Sequence, residues 1–287
     1  MIVINDVTAR KRADVVLADA HTSYSRAALS KLFGMGLVWI NDIPARPGDK
    51  VKPGQVFKVD LTPLEDEPDV IDLPVLFEND DVIVVDKPAG IISHARGRFW
   101  QEASVASFIR DKTKGMVGER AGIVHRLDRA TSGVMIAAKH ERAQSFLQNE
   151  FSKKRVFKEY VALIHGTPDK SEAHIIAALG RNPNLPQQFK VDATGKQAET
   201  IYKIIATNGK VTQVQLHPLT GRTHQLRVHM LYIGHPIIGD PLYSQESKDE
   251  SRMFLHAKIL KIHLPDGVEH TFEAPVSAVF TERLARG

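Results

Sequence analysis

One short segment places an acidic residue among basic neighbours directly before a strand-like run. Residues 125–133 read HRLDRATSG and lead into the apolar segment 134–138. In an ordinary surface loop, Asp128 would cap a turn and pair with Arg126 or Arg129. At the mouth of a core strand, by contrast, a carboxylate can be held rigidly beside a pocket. Because its cationic neighbours would keep it ionised, we interpret Asp128 as a candidate nucleophile.

A second polar segment, residues 219–229, reads LTGRTHQLRVH and predicts a glycine turn followed by a helix. One interpretation is an exposed helix face whose basic side chains are solvated. The other buries Arg227 against the carboxylate of Asp128 and leaves Arg222 and His224 free to bind phosphate. Helical periodicity does not separate these interpretations, so both stay open at this point.

A third segment, residues 155–163, reads RVFKEYVAL and predicts a strand. Strand alternation puts Val156, Lys158 and Tyr160 on one face. A tyrosine in a strand usually packs in the core with its hydroxyl bonded. It can also be a platform on which a nucleic-acid base stacks.

Composition excludes several kinds of site. The 287 residues include no cysteine, which rules out disulfide bonds, thiolate zinc sites and a cysteine nucleophile. His224 and His229 are five positions apart and no His-Glu-x-x-His pattern occurs, so we expect no metal site. Neither a P-loop nor a GxGxxG motif is present, so no cofactor bound by such motifs is expected.

The charge balance and the N-terminal sequence indicate the kind of partner and the cellular compartment. The chain is 43% hydrophobic and 25% charged, which is typical of a globular protein. A net charge of +4 and a pI near 9.1 mildly favour a polyanionic partner. No basic segment precedes an apolar stretch at the N-terminus, and no apolar run approaches the roughly 20 residues of a bilayer span. We therefore expect a cytoplasmic protein that does not enter membranes.

The candidate residues must be positioned by the larger of two predicted domains. Residues 1–62 contain helical and strand-like segments that predict a small α+β unit. The acidic, proline-containing stretch 63–72 is typical of a linker. Over residues 73–287 strands do not alternate regularly with helices, which predicts an α+β domain rather than a doubly wound parallel sheet.

The predicted elements place the polar segments between strands and helices. The main strands of the larger domain are predicted at 82–85, 133–138, 156–164, 199–207, 211–217, 253–263 and 268–273, and its helices at 103–113, 140–151, 223–233 and 276–284.

In this order, the polar motifs resemble those of the RluA-type pseudouridine synthases. The resemblance covers nearly all of residues 73–275. It rests on HRLD followed by TSG at 125–133, DKPAG at 86–90, KEYVA at 158–162, GRTHQLRVH at 221–229, GHPIIGD at 234–240 and LHA at 255–257.

The resemblance implies a cofactor-free isomerase that converts uridine to pseudouridine in structured RNA. It implies that Asp128 is catalytic, that Tyr160 stacks on the target uracil and that Arg227 partners the Asp128 carboxylate. Arg126 would fill the gap left by the flipped uridine. The implied fold is a mixed, mainly antiparallel bent sheet flanked by helices. The further candidate substrate contacts are His125, Arg129, Arg222 and His224.

The N-terminal unit resembles an S-four-like RNA-binding domain. The likeness rests on Ser-Arg-Ala at 25–27, Gly-Leu-Val at 36–38 and residues 51–55. It implies RNA contacts from Arg12, Arg26 and Lys31. Because members that modify ribosomal RNA carry such a module, we expect large-subunit ribosomal RNA as the substrate, with transfer RNA as the alternative. We also expect a monomer.

Two other classes remain open from the sequence. A non-catalytic RNA-binding or ribosome-assembly factor would share the basic surface and the N-terminal unit, but it would not need Asp128, Tyr160 and Arg227 together. A carboxylate-dependent glycoside hydrolase would need a second catalytic carboxylate. The sequence offers no convincing partner of that kind for Asp128.

Overall fold

The computed structural model describes residues 2–3 (backbone), 10–65, 69, 71–95, 102–116, 118, 120–244 and 250–286. The chain divides into two compact units. The first contains the chain up to Asp69 with a short segment at Ala95–Glu102, and the second contains Val70–His94 and Ala103–Gly287.

The described part of the first unit packs three helices and a four-stranded sheet around its own apolar core. Ser25 caps its second helix, because its side chain accepts a hydrogen bond from the amide of Ala28 at 3.2 Å. Leu17, Leu32 and Phe57 are fully buried in this core. The elements are β1 (Ile2–Val3), α1 (Ala13–Ala20), α2 (Arg26–Gly34), β2 (Val38–Ile40), β3 (Ile43–Pro44), β4 (Val56–Val59) and α3 (Thr62–Glu65), with sheet order β1-β4-β2-β3.

The predicted linker at 63–72 is longer than the structure allows. Leu64, in α3, is buried in the core of the first unit. At the other end, Leu73 is buried in the core of the second unit, and Ile71 packs against it. The acidic composition concealed these apolar anchors, so the boundary predicted after residue 62 falls inside a helix.

The second unit has the α+β architecture expected from the sequence. Among the described residues, nine strands form one sheet with the order β5-β6-β7-β14-β8-β13-β12-β9, and β15 pairs with β14. The elements are β5 (Val75–Glu78), β6 (Val82–Lys87), α4 (Val105–Ile109), β7 (Ser132–Ala138), α5 (Glu141–Ser152), β8 (Phe157–His165), β9 (Glu172–Ile176), β10 (Leu179–Arg181), β11 (Phe189–Val191), β12 (Glu199–Thr207), β13 (Val211–Pro218), α6 (Gln225–Tyr232), β14 (Leu255–His263), β15 (Glu269–Glu273) and α7 (Ala278–Arg286).

Strand pairing in this sheet is antiparallel except between β7 and β14, which are parallel. Both faces of β7 are covered, and each of its seven residues is buried, as its continuous apolar run predicts. A separate two-stranded pair, β10–β11, joins Leu179–Arg181 to Phe189–Val191.

Two predicted helices differ in extent. The helix expected at 103–113 covers only Val105–Ile109, followed by a 3₁₀ turn over Arg110–Lys112. The helix expected from residue 223 starts at Gln225, because His224 adopts a left-handed conformation with φ 56°. Thr223 therefore lies outside the helix that carries Arg227. The short strands β5, β9, β10 and β11 were not predicted.

Gly133 sets the close approach of β7 to β14. Its φ is +115°, and a Cβ built there would lie 2.2 Å from the carbonyl oxygen of Ala257. Since Ala257 pairs with Gly133 in the parallel ladder, any side chain at 133 would push these strands apart. The loop that contains Asp128 leads directly into this junction.

We predict that Gly133→Ala lowers the free energy of unfolding by about 3 kcal/mol or more, because strain at positive φ adds to a backbone collision. Gly209→Ala is the matched control, since Gly209 has φ +90° but no atom within 4 Å of the added Cβ. Its cost should be about 1–2 kcal/mol. Urea denaturation followed by circular dichroism measures both, and equal costs would contradict this account of the junction.

Candidate active site

A cleft of ≈ 520 Å³ opens in the second unit and brings the three sequence-predicted residues together. Asp128 reaches it from the loop before β7, Tyr160 from β8, and Arg227 from α6. Lys158 also lines the cleft beside Tyr160, as strand alternation predicted. Three residues that are distant in sequence therefore lie in one cleft.

Arg227 is the central buried cation of the cleft, with 3% of its surface exposed. Its Nη1 donates to Oδ2 of Asp128 at 3.0 Å, while Nε and Nη2 donate to the two oxygens of Asp240, each at 2.7 Å. Burial opposes the charged form, but the hydrogen bonds to Asp240 and the charges of both carboxylates outweigh it and raise the pKa of Arg227. Of the two interpretations of this helix, the structure selects the buried one.

Asp240 holds Arg227 from behind and is itself completely buried. Besides the guanidinium, its Oδ1 accepts the backbone amides of Leu242 and Tyr243 at 2.9 and 3.1 Å. A buried carboxylate with four donors is a fixed anchor rather than a reactive group. These contacts fix the plane of the Arg227 guanidinium, and its remaining nitrogen donates to Asp128.

His224 stands next to this pair. Its Nε2 lies 3.7 Å from Oδ2 of Asp128, and its Nδ1 lies 2.8 Å from the hydroxyl of Tyr243. Burial is the main cause that lowers the pKa of His224, against the opposing charge of Asp128. Because Nδ1 of His224 already contacts Tyr243, only Nε2 is left for the predicted phosphate contact, which stays a prediction.

Tyr160 and Lys158 form the strand wall of the cleft. Burial raises the pKa of the Tyr160 phenol, and the negative charge of Asp128 adds to this effect. Tyr160 therefore keeps its proton at neutral pH and offers a neutral aromatic face. Burial also lowers the pKa of Lys158. A partly desolvated ammonium of this kind attracts an anion more strongly than one in bulk water.

His125 lines the cleft, and its contacts also hold the loop that contains Asp128. Its Nε2 accepts the backbone amide of Ile136 at 3.0 Å, and its ring stacks on Phe151 at 4.6 Å. Burial, with a smaller contribution from Lys158, lowers the pKa of His125 to about 3. It is consequently neutral, and its contacts tie the loop containing Asp128 to β7.

Lys87 anchors the same loop from the opposite side. Its side chain is fully buried, and its Nζ donates to the carbonyls of Pro88, Ile91 and Arg129 at 2.9, 2.8 and 3.4 Å. Burial lowers the pKa of Lys87 to about 7, against the attraction of Asp128. The ammonium thereby links the 88–91 turn to the residue that follows Asp128.

The comparisons with known proteins agree with this geometry. The family model described as RNA pseudouridylate synthase matches residues 81–232. The chain belongs to the RluA-type RNA pseudouridine synthases. It is accordingly an isomerase that acts on RNA.

Relatives along the whole chain and a solved structure support this assignment. An uncharacterized RNA pseudouridine synthase of Mycobacterium bovis is 35% identical over 99% of this chain and 97% of the relative. Ribosomal large subunit pseudouridine synthase D of Xylella fastidiosa is 33% identical over 98% and 90%. The structure of human RNA pseudouridylate synthase domain containing 1 superposes with a TM-score of 0.62 at 27% identity, covering 74% of this chain and 86% of that one.

The other predicted substrate contacts of the synthase differ in whether they line the cleft. Arg126 is exposed and lines the cleft. Arg222 also lines it, although its Nε donates to the carbonyl of Gln197 at 3.0 Å, so it is not fully free. Arg129 does not line the cleft; its Nη1 donates to the carbonyl of Gly90 at 3.2 Å. Within the described residues, no group of histidine and carboxylate side chains could hold a metal ion, and no helix is long and apolar enough to cross a membrane.

Two arginines predicted to contact RNA are ion-paired in the first unit. Arg12 and Arg26 donate to Asp14 at 3.0 and 2.7 Å. Burial would raise the pKa of Asp14, but these hydrogen bonds outweigh it and leave that pKa below its usual value. Both arginine side chains remain more than half exposed. Lys31 lies on α2 and forms part of its last turn.

Sequence reasoning missed three residues of the site: Asp240, Lys87 and Tyr243. Asp240 and Lys87 lie in motifs that carried the family resemblance, GHPIIGD and DKPAG, and this was a usable signal. Tyr243 lies in no such motif. Its contacts with His224 and Arg227 depend on how distant segments fold together.

We predict that Asp240→Asn lowers the free energy of unfolding by about 3 kcal/mol, because it neutralises a completely buried carboxylate that accepts two hydrogen bonds from Arg227 and two from backbone amides. The exposed Asp266→Asn is the control and should barely move the urea midpoint. Pseudouridine formation by the folded fraction should also fall, since Arg227 is no longer fixed. A folded D240N variant with wild-type stability would show that this anchor is dispensable.

Proposed function

We propose that the synthase isomerises specific uridines in large-subunit ribosomal RNA, with Asp128 as its catalytic carboxylate. The observation that carries the proposal is the contact from Arg227 to Oδ2 of Asp128 inside the cleft. Among the described residues, Oδ1 of the same carboxylate receives no hydrogen bond. One oxygen is therefore held and the other remains available to react.

The reaction breaks the bond between C1′ of the ribose and N1 of uracil and joins C1′ to C5. C5 loses one proton and N1 gains one, so the atoms balance. Substrate and product are isomers, so no group is transferred to or from a cofactor. The ionised Asp128 attacks the anomeric carbon or the uracil ring, or assists elimination through a glycal. The three routes place the same demand on the protein, which is a fixed carboxylate next to the glycosidic bond.

Such chemistry requires the uridine to leave the base stack. Flipping a nucleotide costs a few kcal/mol, and an aromatic face in the pocket offsets part of that cost. Tyr160 supplies the face, because it lines the cleft and keeps its proton. We propose that Arg126, exposed beside the cleft, fills the vacated position in the RNA.

The cleft also has the charge that RNA requires. Besides Arg227, its lining includes four cationic side chains, Arg126, Lys154, Lys158 and Arg222. Phosphate contacts of this type position a nucleic acid without reading its bases. They support an RNA substrate over a carbohydrate one.

We predict that Asp128→Asn reduces pseudouridine formation by about 10³-fold or more, because the amide keeps the shape but loses the nucleophile and base. RNA affinity and the unfolding midpoint should change little. Chemical mapping of pseudouridine in RNA incubated with each protein measures turnover, and Asp266→Asn provides the exposed control. Substantial turnover by D128N would remove Asp128 from the chemistry.

The choice of ribosomal RNA rests on relatives rather than on the cleft. Proteins of Xylella fastidiosa, Vibrio cholerae and Nitrosomonas europaea that are 32–33% identical are named ribosomal large subunit pseudouridine synthase D. Transfer RNA is the alternative substrate. These bacterial relatives also support a cytoplasmic site of action.

Deleting the gene and mapping pseudouridines across total RNA tests the substrate class. We expect one or more sites in large-subunit ribosomal RNA to disappear and to return when the wild-type gene is restored. Complementation with the gene for D128N should not restore them. Loss confined to transfer RNA would contradict the proposed substrate while leaving the enzyme class intact.

We also propose that the N-terminal unit binds RNA and takes no part in the chemistry. The proposed catalytic residues all lie in the second unit, whereas the first presents exposed basic side chains such as Arg12 and Arg26. In this division, residues 1–62 form most of the RNA-binding unit, 63–72 contain the connection and 73–287 form the catalytic domain.

A further inference from the structure

His224 is held in an uncommon position for a helix-start residue. It has φ 56°, in the left-handed region that non-glycine residues rarely occupy, and its side chain caps no amide of α6. Instead, the imidazole makes an edge contact with the ring of Tyr243 at 5.6 Å and lies beside Asp128. Non-glycine residues in this backbone region often occur at functional sites, where the surrounding structure over-determines them.

We propose that Phe189, Tyr243 and His224 form a hydrogen-bonded relay that fixes His224 as the Nε2–H tautomer, and that this makes His224 a positioning residue for the Asp128 carboxylate. The relay itself is a property of the fold. Its consequence for catalysis rests on the proposed function of Asp128.

The direction of the hydrogen bonds determines the tautomer. The backbone amide of Phe189 donates to the hydroxyl oxygen of Tyr243 at 2.7 Å. A phenol has one hydrogen to donate, and the atom next to the Tyr243 hydroxyl on the other side is Nδ1 of His224, at 2.8 Å. Nδ1 therefore accepts, so the proton of the neutral ring lies on Nε2.

This tautomer presents a donor to the carboxylate. Nε2 lies 3.7 Å from Oδ2 of Asp128, the oxygen that already accepts from Arg227. That distance exceeds a hydrogen bond, but a shift of under about 1 Å would form one. With that second donor on Oδ2, the carboxylate could not rotate, and Oδ1 would stay available to the substrate.

Charged groups of both signs surround His224, and burial is the largest influence on its pKa. Asp128 and Asp240 favour the protonated ring, whereas Arg227 and Arg126 oppose it, and desolvation is the largest cause that lowers the pKa of His224. The ring is therefore neutral at pH 7. Protonation at lower pH would put a hydrogen on Nδ1 facing the Tyr243 hydroxyl and break the relay.

The β10–β11 pair keeps Tyr243 in place from outside the cleft. Besides the Phe189 amide, the side chain of Gln188 donates to the carbonyl of Leu242 at 2.7 Å. On its inner side, the Tyr243 ring lies under the guanidinium of Arg227, 5.0 Å from its centroid. These contacts hold the Tyr243 side chain from both sides and keep its hydroxyl next to His224.

The test combines Tyr243→Phe, His224→Gln and His224→Leu with Tyr202→Phe as the matched control. Tyr202 is also a buried tyrosine of the second unit with one hydroxyl bond, to the carbonyl of Lys170 at 3.1 Å, and it does not line the cleft. Measurements are kcat and KM between pH 5 and 8 on an unmodified RNA that carries the target uridine. Nitrogen-15 NMR of the histidine rings reads the tautomer directly.

We expect Y243F to lower kcat by about tenfold with little change in KM, as for one lost hydrogen bond that matters in the transition state. The acid limb of its kcat–pH profile should move to higher pH, because the Tyr243 hydroxyl stabilises the neutral His224 ring and its loss raises the pKa of that ring. H224Q, whose amide nitrogen replaces Nε2–H, should exceed H224L in kcat by about tenfold and show an acid limb shifted to lower pH. Y202F should match the wild type.

NMR showing the Nδ1–H tautomer of His224 in the wild-type protein would overturn the relay. Equal effects of Y243F and Y202F on the pH profile, or equal kcat values for H224Q and H224L, would overturn the positioning role. The NMR result does not depend on any RNA. If the wild-type protein formed no pseudouridine, the proposed function would fail, and the tautomer would still decide whether the relay exists.

Discussion

The structure of the cleft depends on one buried guanidinium. Arg227 donates to both oxygens of Asp240 and, with its remaining terminal nitrogen, to Asp128. Desolvating a cation and two anions is expensive unless their hydrogen bonds are nearly complete. Here Asp240 is saturated by the guanidinium and two backbone amides, so the arrangement has one geometry available to it. A lysine could not replace Arg227, because a point-like ammonium lacks the planar fork that meets two carboxylates at once.

The remaining elements deliver Asp128 to that guanidinium. Its loop leads into β7, whose Gly133 permits a backbone approach to β14 that a side chain would prevent. On one side of the loop His125 accepts an amide of β7, and on the other Lys87 binds three carbonyls. Each contact joins the loop to the sheet rather than to solvent. The position of the carboxylate is therefore set by the most buried part of the fold.

The sequence predicted those features that depend on local pattern. The β12 strand has the bounds expected from its apolar run, and alternation correctly placed Lys158 and Tyr160 on the cleft face. Features created by tertiary contact were not predictable in this way. The bond from Arg227 to Asp240 joins residues that are not in the same element. Periodicity predicted a helix that starts at Thr223, but His224 adopts a left-handed conformation and the helix starts after it. Likewise, the composition of the acidic stretch that we interpreted as a linker did not indicate that apolar residues in it are buried.

The central claim is that the fixed guanidinium presents Asp128 to a flipped uridine. The most direct measurement is a crystal structure of the D128N variant bound to a substrate RNA stem-loop. We expect one extruded uridine in the cleft, with its base against the Tyr160 ring and its C1′ atom within about 4 Å of the side chain at position 128. The Arg227 and Asp240 side chains should keep the contacts that they make without RNA. A target uridine still stacked in the RNA, or bound away from Tyr160 and position 128, would contradict the account.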